Sequence, residues 1–169
     1  MIALSLILLI ISFLIQGTMS TLIGYTPENV SMFFTIYPLL ALLVLYPNFE
    51  NQKKIILLLV IFGLLTDLIY SNTFIFNTCL FYIIYKINKI FHFFFPYNLL
   101  TINISNLIGI YVYHIITFLF LILLNFDNYN ISILLKIIFN STIMTIIYTT
   151  IIYWLIKVIK MRFDLKEVK

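Results

Sequence analysis

A carboxylate inside an apolar run is the group in this chain best placed to do chemistry. Asp67 lies twelve residues past Ile55, in a stretch that stays apolar from Ile55 to Tyr70. On a helix that is roughly 18 Å along the axis. An ionised carboxylate within a membrane span costs about 2.5–3.5 kcal/mol on insertion scales and needs a partner. A position near the C-terminal end of its helix adds to the cost, because the dipole there is negative. Lys136 is the natural partner. It is the one basic residue away from the basic clusters, and it stands one to two turns into the last apolar run. Such a pair acts as a structural ion pair or hydrogen-bonded staple. The other uses of a group like Asp67 are partner binding, a conformational role, or a proton or ligand relay.

The remaining polar residues in apolar surroundings suit helix contacts. Ser12, Gln16, Ser20 and Gly24 recur every four residues and form one face of a first helix. Small residues let helices approach closely in lipid. The stripe therefore serves either internal packing or the docking of another membrane helix. Asn103, Asn106, Tyr113 and Thr117 lie on a fifth run with His114, and Asn140, Ser141, Thr145, Tyr148 and Thr149 lie on a sixth. These are hydrogen-bonding residues, worth under about 2 kcal/mol each between membrane helices. His114 reads as a buried, satisfied group, His92 as an interfacial one, and Cys79 as a small packing residue. The chain is rich in Ile and Asn, with 34 and 13 residues against 2 Ala. That is the codon bias of an AT-rich gene, so a single Asn carries less weight than usual.

Signatures of catalysis are missing. The sequence has no H-E-x-x-H for zinc hydrolysis, no G-x-S-x-G elbow and no glycine-rich phosphate loop. No carboxylate cluster could hold Mg²⁺. One cysteine excludes an internal disulfide and a multi-cysteine zinc site. We expect no enzyme activity, no cofactor and no metal.

The elements that carry these residues follow from composition. The chain is 63% hydrophobic and 9% charged, with mean hydropathy +1.14. Soluble domains are roughly 25% charged, so a water-soluble globule is excluded, as is disorder. The net charge of +4 does not imply nucleic acid, because the basic residues are few and scattered between apolar runs. The spacing predicts an all-α integral membrane protein, one domain over residues 1–169, with six transmembrane helices in one bundle. The spans fall at about 2–23, 30–46, 55–70, 73–90, 99–124 and 131–159, and Pro38 should kink the second. The first run lacks a basic leader and an A-x-A-like site, so it reads as a retained helix and not a signal peptide.

With the chain starting in the cytoplasm, Lys53, Lys54, Lys86, Lys89, Lys157, Lys160, Arg162, Lys166 and Lys169 all fall inside. That is nine of the 10 basic residues, as the positive-inside rule requires. The outer connections carry only the acids Glu28 and Asp127. Both termini are therefore expected in the cytoplasm, and Tyr153 and Trp154 belong to the inner aromatic belt.

One segment resembles a known family. Gly63-Leu64-Leu65-Thr66-Asp67-Leu68, a short turn, and then Phe74 to Tyr82 are similar to the rod shape-determining MreD family. The pattern is a Gly, a few apolar residues, Asp-Leu, a turn and an apolar helix with a Tyr; Gly63, Asp67, Leu68 and Tyr82 match it. Gln16-Gly17-Thr18 and Pro27 also resemble the family's N-terminal region. Where the family often has glycines in and after the turn, this chain has Ser71-Asn72-Thr73-Phe74-Ile75-Phe76. The resemblance implies a non-catalytic scaffold of the bacterial cell-elongation complex in the inner membrane. Its partners would be an MreC-like membrane-anchored protein and, indirectly, an MreB-like filament, a RodA-like synthase and a class-B penicillin-binding protein. It also implies a fold like the six-helix S components of energy-coupling-factor vitamin transporters. An S component that captures a vitamin is the alternative function, although the A-x-x-x-A docking face common in such subunits is absent.

Overall fold

Long runs of Leu, Ile and Phe can satisfy their backbone in an apolar solvent only by helix formation. The computed structural model describes residues 2–23, 35–49, 52–71, 73–124 and 131–162. Among them are six α-helices and no strand. They are α1 (Ile2–Ile23), α2 (Tyr37–Leu45), α3 (Gln52–Thr66), α4 (Phe76–Phe94), α5 (Leu99–Leu123) and α6 (Ile131–Arg162). A 3₁₀ turn, Tyr46–Asn48, follows α2, and a π-helical turn, Asp67–Ser71, prolongs α3. The expected positions at Gly24, Pro27, Glu28, Asp127, Lys166 and Lys169 lie outside the described residues.

Among the described residues three helices are long and apolar enough to cross a membrane: α3 with its π turn (Gln52–Ser71), α5 and α6. Ser5–Met19 within α1 is a shorter apolar stretch. The outward surface is hydrophobic, with Ile7, Ile10, Leu14, Leu57, Ile61, Leu119, Phe139 and Trp154 exposed. In water such a surface would aggregate; in lipid it is the solvent-facing side.

Helix α2 is the centre. Every residue from Tyr37 to Leu45 is buried, and the helix packs against α1, α3, α4, α5 and α6. A helix apolar on all sides belongs in such a place. Around it the core gathers Leu9, Leu59, Phe81, Ile84, Ile102, Ile110 and Ile152. Pro38 does not kink this helix, contrary to expectation. It stands in the first turn, where a missing N–H has no intrahelical acceptor to lose. Cys79 is not a packing residue either, since it is exposed on α4.

The α4–α5 connection is short and capped. The Asn98 side chain accepts from the Thr101 N–H at 2.9 Å, and the Asn98 N–H donates to Thr101 Oγ1 at 3.1 Å. This reciprocal capping box starts α5 sharply after Pro96. Lys89 Nζ donates to Gln52 Oε1 at 2.9 Å, so the start of α3 lies beside the end of α4.

Candidate functional site

Asp67 opens the π turn at the end of α3 and is 1% exposed. Its carboxylate reaches across to the next helix. Oδ1 accepts from the Thr73 hydroxyl at 2.6 Å, the Asn77 backbone N–H at 2.9 Å and the Asn77 side-chain amide at 3.0 Å. Oδ2 accepts from the Thr78 N–H and the Thr78 hydroxyl, both at 3.1 Å. Asn77 and Thr78 are the second and third residues of α4, so their N–H groups lack acceptors within their own helix. Asp67 is thus the N-terminal cap of α4, supplied by α3. The residue at the local cap position, Ile75, makes no side-chain cap bond.

This geometry resolves the electrostatic problem posed by the sequence. The anion is compensated by the positive end of a helix and by hydroxyl and amide donors. Asp67 opens a π-helical turn, a rare local form that is frequent at functional sites. Ser71 at its close donates weakly to the carbonyls of Thr66 and Asp67, both at 3.3 Å. The turn that follows contains Ile75 at φ 65°, the single non-glycine residue with positive φ among the described residues. A β-branched side chain is strained there, at about 1–3 kcal/mol.

Gly63 belongs to the same device. It lies one turn before Asp67 on the same face. A Cβ placed on it would stand 2.6 Å from Thr78 Cα and 2.9 Å from Thr78 Oγ1. The missing side chain lets α3 and α4 meet at the residue that donates to Asp67. The network also extends to α5. The Tyr113 hydroxyl donates to Asn77 Oδ1 at 2.5 Å, while Asn77 Nδ2 also donates to Ser71 Oγ at 2.8 Å. Asn77 and Tyr113 are both buried. The matched Tyr82 takes no part in this network; it is exposed, under the Lys86 ammonium at 5.3 Å.

Lys136 does not pair with Asp67, and that expectation is corrected. Helix α6 packs on α5 and α2, and Lys136 is exposed on its outer side. Equal depth in the sequence did not place the two residues on facing surfaces. Of the two uses expected for the α1 stripe, Ser12 takes internal packing. Ser12 is fully buried, donates to the Leu8 carbonyl at 2.6 Å and accepts from the Tyr148 hydroxyl of α6 at 2.6 Å. It is an internal contact and offers nothing to a partner. Gln16 is half-buried, with its Oε1 enclosed and unbonded. The Ser20 side chain and the whole of Gly24 lie outside the described residues.

The polar residues of α5 divide between two neighbours. Asn103 turns to α6, bonding Thr149 and, at 3.2 Å, Thr150. Asn106 and Ser105 turn to Asn88 of α4, at 3.3 and 3.0 Å. Near the end of α4, His92 Nε2 shares a 3.1 Å hydrogen bond with Ser105 Oγ.

Thr73, Asn77 and Thr78 are absent from the site residues expected from sequence, and Tyr113 is expected only as a hydrogen-bonding residue of the fifth run. The first three follow Asp67 closely, and a hydroxyl–amide–hydroxyl set at the start of a helix after an Asp-terminated one is a usable signal. Tyr113, 36 residues from Asn77, has no such signal. A carboxylate with five donors has little left to offer a substrate, so the arrangement is suited to holding three helices in register. Among the described residues no group of three His, Cys, Asp or Glu could hold a metal ion. No protein-family model, curated protein or solved structure matches the chain.

Proposed function

We propose that this chain is a non-catalytic scaffold of the MreD kind, acting in cell-shape control by holding partner membrane helices. The observation that carries the reading is the use of Gly63 and Asp67. Two of the four matching residues serve one structural device, the close α3–α4 hairpin capped by the buried carboxylate, while Leu68 and Tyr82 are exposed on its outer surface. A group committed to architecture suits a subunit whose role is to present a shaped surface.

In this reading the chain crosses a bacterial inner membrane six times with both termini in the cytoplasm. The bias of basic residues supports that course. So does the meeting of Gln52 with Lys89 at one end of the α3–α4 pair and of Asp67 with Asn77 at the other. The partner is an MreC-like protein with a single membrane helix. Through it the chain acts on an MreB-like filament, a RodA-like synthase and a class-B penicillin-binding protein.

Depletion in a rod-shaped host tests this. Cells should round up, and the wild-type chain should restore the rod. Normal cell width after depletion, together with tight vitamin binding by the purified chain, would instead establish the transporter S component.

A further inference from the structure

Lys136 carries an inference that the capped hairpin does not absorb. Its backbone stands roughly 8 Å along the helix axis from Ile131, the first residue of α6. Exposed Leu135 and Phe139 flank it. Together with Ile138 they line an open groove of about 610 Å³ along α5 and α6. The lining is mostly apolar, with Lys136 and, one turn further on, Asn140 as its polar edge. Tyr111 and Thr142 complete the lining, their hydroxyls bonded to each other at 2.8 Å. No carboxylate among the described residues pairs with Lys136. In lipid a lysine stem lies along apolar surface and lifts its ammonium toward the headgroups.

We infer that this groove binds one anionic phospholipid, its phosphate on Lys136 and one acyl chain along Leu135, Ile138 and Phe139. The complementarity is of charge and of shape. The single cation stands at the end nearer the start of α6, and the apolar wall runs inward from it toward Thr142, over about 10 Å of helix. That is the order of headgroup and chain in one leaflet. In the topology proposed above it is the outer leaflet. The inference needs only that α5 and α6 cross the membrane, so it stands or falls independently of the scaffold role.

The test uses the whole chain in detergent with phosphatidylglycerol or phosphatidylcholine added, and native mass spectrometry to count retained lipid. Wild type should keep one phosphatidylglycerol in preference to phosphatidylcholine. Lys136→Met should lose about fivefold of that preference, the scale of one basic residue at an anionic surface. Lys136→Arg should retain it, as should Lys157→Ala at the other end of α6. A second readout leaves Lys136 in place. On a Trp154→Phe background, Leu135→Trp should be quenched more by brominated-chain phosphatidylglycerol than by brominated phosphatidylcholine. Equal retention of the two lipids by wild type, an unchanged preference in Lys136→Met, or equal quenching would overturn the assignment. So would carbodiimide cross-linking of Lys136 to Asp127 or to a second polypeptide in native membranes, which would put a carboxylate on the ammonium.

Discussion

Replacing Asp67 with Asn asks whether the carboxylate itself, and not merely an acceptor of its size, holds α3 to α4. The change is isosteric and removes one charge. In the native site Oδ1 takes three donors and Oδ2 takes two. An amide has one oxygen. If it occupies the Oδ1 position, the Thr73 and Asn77 bonds survive, and the new NH₂ faces Thr78 at 3.1 Å, donor against donor. The Thr78 hydroxyl can turn to accept, but the backbone N–H cannot. The opposite orientation strands three donors. Loss of a hydrogen bond to an ion costs about 1.5–3 kcal/mol, and a stranded buried N–H about 1–3 kcal/mol. Removing a buried charge returns part of this. The expected net loss is about 2–4 kcal/mol, or roughly 30- to 900-fold in the folding equilibrium. Reversible unfolding in mixed micelles with graded SDS, followed by circular dichroism, measures it. Asp67→Ala should fall in the same range. If Asp67→Asn stays within about 0.5 kcal/mol of wild type while Asp67→Ala is costly, a neutral acceptor suffices and the anionic cap is wrong. If a double-mutant cycle with Lys136→Met shows strong coupling, the independence of the two residues is wrong.

Gly63→Ala should destabilise by about 1–3 kcal/mol, because the nearest atom to the added methyl is the Thr78 backbone at 2.6 Å and no rotamer change can clear it. The same unfolding assay checks this, and a neutral result would mean that α3 and α4 are not in close contact there. Ile75→Gly should stabilise by about 1 kcal/mol or more, since glycine adopts φ 65° without a Cβ clash. A raised unfolding midpoint is expected, and a lowered one would refute the left-handed turn. Tyr113→Phe should cost about 0.5–1.5 kcal/mol by leaving Asn77 Oδ1 without its α5 donor. A double-mutant cycle with Asn77→Ala checks it, and additive losses would show that the two do not interact.

Much of the architecture is written in composition. Apolar runs of span length with 9% charge overall allow helices and exclude a soluble domain, because unpaired backbone groups cannot be buried in lipid. Asp67 stood out for the same reason: a lone carboxylate in an apolar run must be compensated. What compensates it was not legible. Lys136 matched it in depth along the chain, but depth says nothing about the angle at which a residue leaves its helix or which helix is its neighbour. Those depend on α6 packing against α5 and α2, a choice made by many side-chain contacts at once. The period-four stripe on α1 likewise identified a face, but only packing turned Ser12 inward onto Tyr148. Sequence by itself determined the helices, their apolar character and the need for a partner at Asp67, because these rest on local hydropathy and period. Tertiary structure alone decided that the partner is the open end of α4 and that Gly63 makes room for it. Capping across two helices depends on their mutual approach, which no spacing along one chain contains.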